Sequence, residues 1–177
     1  MTPLEHVLIA LIPVTGVVLA IDRRLPSRAL VTVVVVGAQF PDLVDKPLAH
    51  SLHVIPSGRV FMHSLPIAVP VVALAVAYAV RTDRLGLGLG YGFGHLSHLI
   101  ADNYHRSTLV PPSLPPDLLW PFVEPTPRPM IPHWAGPNGI GVRVWSAYSG
   151  VVLVVLLAVL IRDLRRTPWR TGDEGSG

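Results

Sequence analysis

Residues 85–102 read Leu-Gly-Leu-Gly-Leu-Gly-Tyr-Gly-Phe-Gly-His-Leu-Ser-His-Leu-Ile-Ala-Asp, an apolar run with glycine at every second position from 86 to 94 and a carboxylate at its end. Gly86, Gly90 and Gly94 have the four-residue spacing that lets a neighbouring helix approach closely, so the stretch predicts a packed helix rather than a lipid-facing one. At 100° per residue, His95, His98 and Asp102 fall within an arc of roughly 60°, and all three side chains can address one point.

The rest of the chain puts that helix in a bilayer. Of 177 residues, 50% are hydrophobic and only 14% are charged, with a mean hydropathy of +0.51. A soluble domain carries about a quarter charged residues, so the shortfall points to a membrane protein and excludes disorder, collagen and a disulfide scaffold. The absence of cysteine removes thiolate metal sites and cysteine nucleophiles, leaving His, Asp and Glu to hold any metal. The net charge of +3 rests almost entirely on arginine, Lys46 being the single lysine. That charge is too scattered for a nucleic-acid surface.

Five apolar runs predict an all-α membrane protein of about five transmembrane helices, near 4–21, 25–40, 63–80, 85–102 and 144–161. Each run is somewhat short of the roughly 20 residues needed to cross about 30 Å of hydrocarbon and borrows flanking residues. In the second, Arg28 must snorkel to the interface. Glu5 and His6 at the start, with the arginines after the run, argue against a cleaved signal peptide. If the helices alternate, one side receives nine basic residues on short segments (Arg23, Arg24, Arg28, Arg81, Arg84, Arg162, Arg165, Arg166, Arg170). The other receives five on longer ones (Lys46, Arg59, Arg106, Arg128, Arg143). The positive-inside rule then places the N-terminus outside and the C-terminus in the cytoplasm of a multi-pass cell-membrane protein. Residues 1–161 form a single membrane domain, and the polar tail 162–177 reads as a disordered cytoplasmic extension. The extracytoplasmic stretch 103–143 is rich in proline, with ten of the chain's nineteen between 102 and 143, so it reads as neither helix nor sheet.

Placed by depth, the remaining polar residues converge. Glu5 and His6 open the first helix, Asp42 and Asp45 follow the second, His63 and Ser64 open the third, and His95, His98 and Asp102 close the fourth. All these ends lie on the outer side. Four chain segments thus deliver His and carboxylate ligands to one membrane face, with Pro41 as likely to break the second helix as to let it carry the aspartates. A lone His or Asp at a helix end is ordinarily an interface residue or cap, and His6, with only Glu5 beside it, reads that way by itself. His98 with Asp102 does not, because a carboxylate one turn from an imidazole on a small-residue face is a ligand arrangement. Ser64 reads as a helix N-terminal hydroxyl rather than a nucleophile. His50, His53, His105 and His133 read as solvated loop residues, and Arg59 as a clamp for an anionic group or a headgroup contact.

In order, these elements are Glu5-His6-Val7, Phe40-Pro41-Asp42-Leu43-Val44-Asp45, Arg59-Val60-Phe61-Met62-His63-Ser64, Ser97-His98-Leu99-Ile100-Ala101-Asp102 and Leu119-Trp120-Pro121-Phe122. The series resembles the membrane-bound metal-dependent hydrolase family, the YdjM-like group, over residues 5 to 122. Gly58 stands where that family often has a histidine before the arginine of the third element. Asp42 and Asp45 are also separated by two residues, where the family more often has one. The resemblance implies His63, His98, Asp102 and Asp42 as site residues, with His6 and Asp45 beside them.

The resulting expectation is a hydrolase with a divalent metal ion, zinc first and manganese or magnesium as alternatives, held by some of Asp42, His63, His98, Asp102 and His6. The cation would lower the pKa of a bound water towards 7 for attack on an ester or phosphoester. Asp45 is the leading proton acceptor, with His63 and Asp102 the other residues assigned to catalysis and Arg59 the substrate clamp. A site at headgroup depth favours a lipid or lipid-linked substrate, with the bilayer as the principal partner. The rival readings are a metal or ion transporter, whose site would lie near the bilayer midplane, and a non-catalytic membrane adaptor.

Overall fold

The computed structural model describes residues 3–107, 114–125, 154, 158, 161 and 162. Among them are four long helices and no strand: α1 Pro3–Asp22, α2 Arg28–His50, α3 Leu65–Arg81 and α4 Leu85–Ser107, followed by a single 3-10 turn at Pro116–Leu119. The expected helix at 144–161, most of the Pro-rich loop and nearly all of the tail lie outside the described residues. So do the side chain of His105 and all of His133.

Interior and exterior are inverted relative to a soluble bundle. The largest fully buried side chains include His6, His63, His95 and His98, whereas large apolar residues such as Ile12 (67% exposed), Leu74 (71%) and Ile100 (68%) face outward. A polar interior under an apolar coat suits hydrocarbon, where backbone groups must be satisfied within the helices. Among the described residues, α1 is the one helix long and apolar enough to cross a membrane by itself, and α3 is apolar but only 17 residues long. The two inner helices fall short in apolarity for a reason: α2 carries Asp42, Asp45 and Lys46, and α4 carries five glycines and the site histidines.

The α2–α4 contact is the heart of the bundle, and glycine sets its closeness. A Cβ at Gly94 would lie 2.4 Å from the Val34 carbonyl oxygen, and one at Gly37 would lie 2.3 Å from the Tyr91 carbonyl oxygen. The glycine ladder therefore divides between two neighbours. Gly90 and Gly94 face α2, while Gly88 and Gly92 face Ala79 and Val72 of α3. Gly86, expected to share the first interface, has no described atom within 4 Å of its Cβ position, because it lies at the very start of α4, beyond the contact.

Two boundaries differ from expectation. The second helix does not end near residue 40 but runs through Pro41 and Pro47 to His50. Each proline forfeits only one backbone hydrogen bond, and the packed segments around Asp45 hold the helix in place. Asp42, Asp45 and Lys46 are consequently helical. The fourth helix continues to Ser107, since no proline interrupts it before Pro111 and Asn103 Nδ2 donates to Leu99 O at 2.8 Å. The loop beyond is also not wholly irregular: the turn at Pro116–Leu119 seats Leu118 on Ala68 and Leu99, and Trp120 packs edge-on against Phe61, centroids 6.1 Å apart. That docking backs the segment that carries His63.

Candidate metal centre

Four side chains from three elements meet at one end of the bundle. Asp42 comes from α2, His63 from the segment before α3, and His98 and Asp102 from successive turns of α4. One ligand atom from each lies within 4.8 Å of all the others. His63 Nε2 is 3.1 Å from His98 Nε2, 3.6 Å from Asp42 Oδ1 and 3.7 Å from Asp102 Oδ2. His98 Nε2 is 3.8 Å from Asp42 Oδ1 and 3.9 Å from Asp102 Oδ2. Four ligands at about 2.0–2.2 Å around a tetrahedral cation would be separated by about 3.3–3.6 Å, so the group has the dimensions of a metal site.

The atoms behind these four decide which ends face inward. His63 Nδ1 lies 2.8 Å from Asp45 Oδ2, and His98 Nδ1 lies 2.7 Å from the Ala38 carbonyl oxygen. Both partners only accept, so each Nδ1 carries the proton and each Nε2 is turned towards the centre. Asp42 Oδ2 is held by Lys46, one turn along α2, and Asp102 Oδ1 by His6 Nε2 at 3.2 Å. Asp42 Oδ1, buried at the centre, has no hydrogen-bond partner among the described residues. A buried carboxylate oxygen without a donor is costly in an apolar site, and a cation among the four ligands satisfies it.

The charge around His63 has the same sense. Three carboxylates face it, Asp45 Oδ2 at 2.8 Å, Asp42 Oδ1 at 3.6 Å and Asp102 Oδ2 at 3.7 Å, and that concentration of negative charge favours a cation at the centre.

The residues singled out in the sequence now have places. Asp42, His63, His98 and Asp102 come together. Asp45 stands behind His63 with both oxygens engaged, Oδ1 accepting the Met62 backbone N–H at 2.8 Å and Oδ2 bonded to the His63 ring. His6 lies outside the group of four, stacked on His98 with centroids 3.8 Å apart and bonded to Asp102. Arg59 Nε contacts Asp102 Oδ2 at 3.2 Å, and its side chain remains 33% exposed. His95 does not address the common point. It lies one turn deeper, where Nε2 donates to the Met62 carbonyl oxygen at 2.9 Å and fastens the segment that carries His63. Ser64 Oγ donates to Phe61 O and makes no side-chain cap. His50, expected in solvent, is half-buried against Gly58, its Nε2 lying 2.9 Å from a Cβ position there. The residue that sequence reading passed over is Lys46. Its signal was the i,i+4 spacing from Asp42, visible only once the helix is known to continue past Pro41.

The Asp45–His63 pair makes a direct prediction. Asp45→Asn keeps an acceptor for the Met62 N–H but removes the charge that fixes the His63 tautomer, and is expected to weaken metal affinity about 10–100-fold. Competition titration against a chromogenic chelator measures it, and unchanged affinity would show that the Asp45 charge does not tune His63 as a ligand.

A comparison with protein families matches residues 1–169 to the YdjM inner membrane protein family. No curated protein and no solved structure matches the chain.

Proposed function

The chain belongs to the YdjM inner membrane protein family, and from that premise together with the cluster geometry we propose that it is a membrane-bound metal-dependent hydrolase acting on an ester or phosphoester, with a lipid or lipid-linked substrate. The observation that carries this reading is the complete backing of the four converging ligand atoms, with Asp45, the Ala38 carbonyl, Lys46 and His6 orienting one side chain each. Asp42, His63, His98 and Asp102 would hold the cation, and two imidazoles with two carboxylates suit zinc, manganese or iron. When bound, such a cation supplies Lewis acidity, polarising the scissile group and making water a nucleophile near neutral pH.

The chain's own residues supply the rest. Both candidate proton acceptors are engaged at each oxygen, Asp45 by Met62 and His63 and Asp102 by His6 and Arg59, so either would take a proton only as one of those contacts loosens. Arg59, partly exposed and beside Asp102, is suited to an anionic substrate oxygen arriving from the surface. In this reading five helices span the membrane, the C-terminus is cytoplasmic and the cluster lies near the outer interface. Such a depth favours a headgroup-level substrate over a transport pathway through the midplane.

Purified protein assayed on phospholipid and on a generic phosphodiester should lose turnover on chelation and regain it when one divalent metal is restored. Turnover that survives complete metal removal would overturn the hydrolase reading, and metal flux into proteoliposomes without turnover would replace it with transport.

A further inference from the structure

The opposite end of the same two helices holds a second feature, independent of the metal cluster. A cavity of about 640 Å³ lies where α2 and α4 begin, lined by Ser27, Arg28, Arg84, Gly86 and Arg162 among others, with Asp83 the one carboxylate. The described lining thus holds three guanidiniums and one carboxylate, and its formal charge is positive. Arg28 is 14 residues from Asp42 along α2, so the cavity lies about 21 Å from the cluster at 1.5 Å per residue. It cannot belong to the same site.

Size, charge and surroundings indicate the occupant. Guanidiniums pair with phosphate oxygens two at a time, and basic pockets between membrane helices at the cytoplasmic side receive acidic headgroups. Leu85, in the lining, is 47% exposed, and Leu25 and Leu89, near lining residues along the chain, are 73% and 55% exposed, a surface suited to acyl chains. At Gly86 the wall is open among the described residues, with none of their atoms within 4 Å of a Cβ. We propose that this cavity binds the phosphate of an acidic phospholipid, its headgroup among Arg28, Arg84 and Arg162 and its chains along the exposed leucines. A soluble phosphoanion shares the headgroup chemistry but has no use for the leucines.

The test uses the full chain in detergent, titrated with micelles containing phosphatidylglycerol, with phosphatidylcholine micelles, and with glycerol phosphate, and read by native mass spectrometry and by the shift in thermal unfolding. Retention and stabilisation are expected with phosphatidylglycerol, not with the other two. Arg28→Gln combined with Arg84→Gln should weaken retention about tenfold or more. Gly86→Leu, which fills open space without altering charge, should weaken it as well. Arg24→Gln, an exposed arginine near the same end that pairs with Asp22, should leave it unchanged. Circular dichroism of each variant separates lost binding from lost folding. Equal retention of phosphatidylcholine, or full retention by both the double variant and Gly86→Leu, would overturn the proposal. Glycerol phosphate binding as tightly as the lipid would overturn the headgroup assignment in favour of a soluble phosphoanion.

Discussion

Replacing His98 with alanine is expected to reduce bound metal from one equivalent to background, by elemental analysis of protein purified in detergent. The expectation rests on where the ring sits. His98 is fully buried, its Nδ1 is fixed on the Ala38 carbonyl at 2.7 Å, and its Nε2 lies within 3.9 Å of the other three ligand atoms. Loss of an orienting residue alone costs metal sites about 10–100-fold in affinity, and removing a ligand should exceed that range. His98→Ala also removes a fully buried ring and its bond to the Ala38 carbonyl, leaving a cavity, so the helical bundle should lose stability. Circular dichroism is needed to show that it remains folded. A folded His98→Ala protein that binds a full equivalent of metal would end the four-ligand assignment.

The second large effect comes from a residue that touches no ligand. Gly94→Val should unfold the site, because even the first carbon of the new side chain would lie 2.4 Å from Val34 O and 2.9 Å from Ala38 N. Those are backbone atoms of α2 and cannot rotate away, so the two helices must separate. Overpacking of this kind costs about 1–3 kcal/mol and sometimes more. Here it also stretches the His98–Ala38 hydrogen bond and moves Asp42 away from His98, so metal content should fall together with thermal stability. Gly86→Ala is the contrast within the same glycine ladder. With open space around it, that change should be neutral or should stabilise by up to about 1 kcal/mol through helix propensity. If both substitutions behave alike in thermal unfolding, the close α2–α4 approach is not what organises the site.

These two glycines show where sequence reading succeeds and where it stops. The four-residue spacing identified a packing face on α4, and Gly90 and Gly94 do meet α2. It could not tell that Gly88 and Gly92 serve a second interface with α3, or that Gly86 serves none, because each depends on where a neighbouring helix happens to end. His95 makes the same point. Helical phase put it within the arc of His98 and Asp102, but phase carries no depth, and one turn further in the ring meets the Met62 carbonyl instead. Pro41 misled in the other direction. Its local preference disfavours a continuing helix, yet packing of α2 against α4 and the tie from Asp45 to the 62–63 backbone outweigh one missing hydrogen bond.

By itself the sequence determined the class of molecule and the end of it that matters. Hydropathy and helical alternation are properties of the chain read in one dimension, and they were enough to bring His and carboxylate residues from four segments to one face. The division of labour within that group was decided only by tertiary structure. Asp42, His63, His98 and Asp102 point inward, while Asp45, Lys46 and His6 stand behind them and His95 holds a loop. The same residue types serve both tiers, and what separates them is a few ångströms between helices. Spacing along any single helix does not encode that distance.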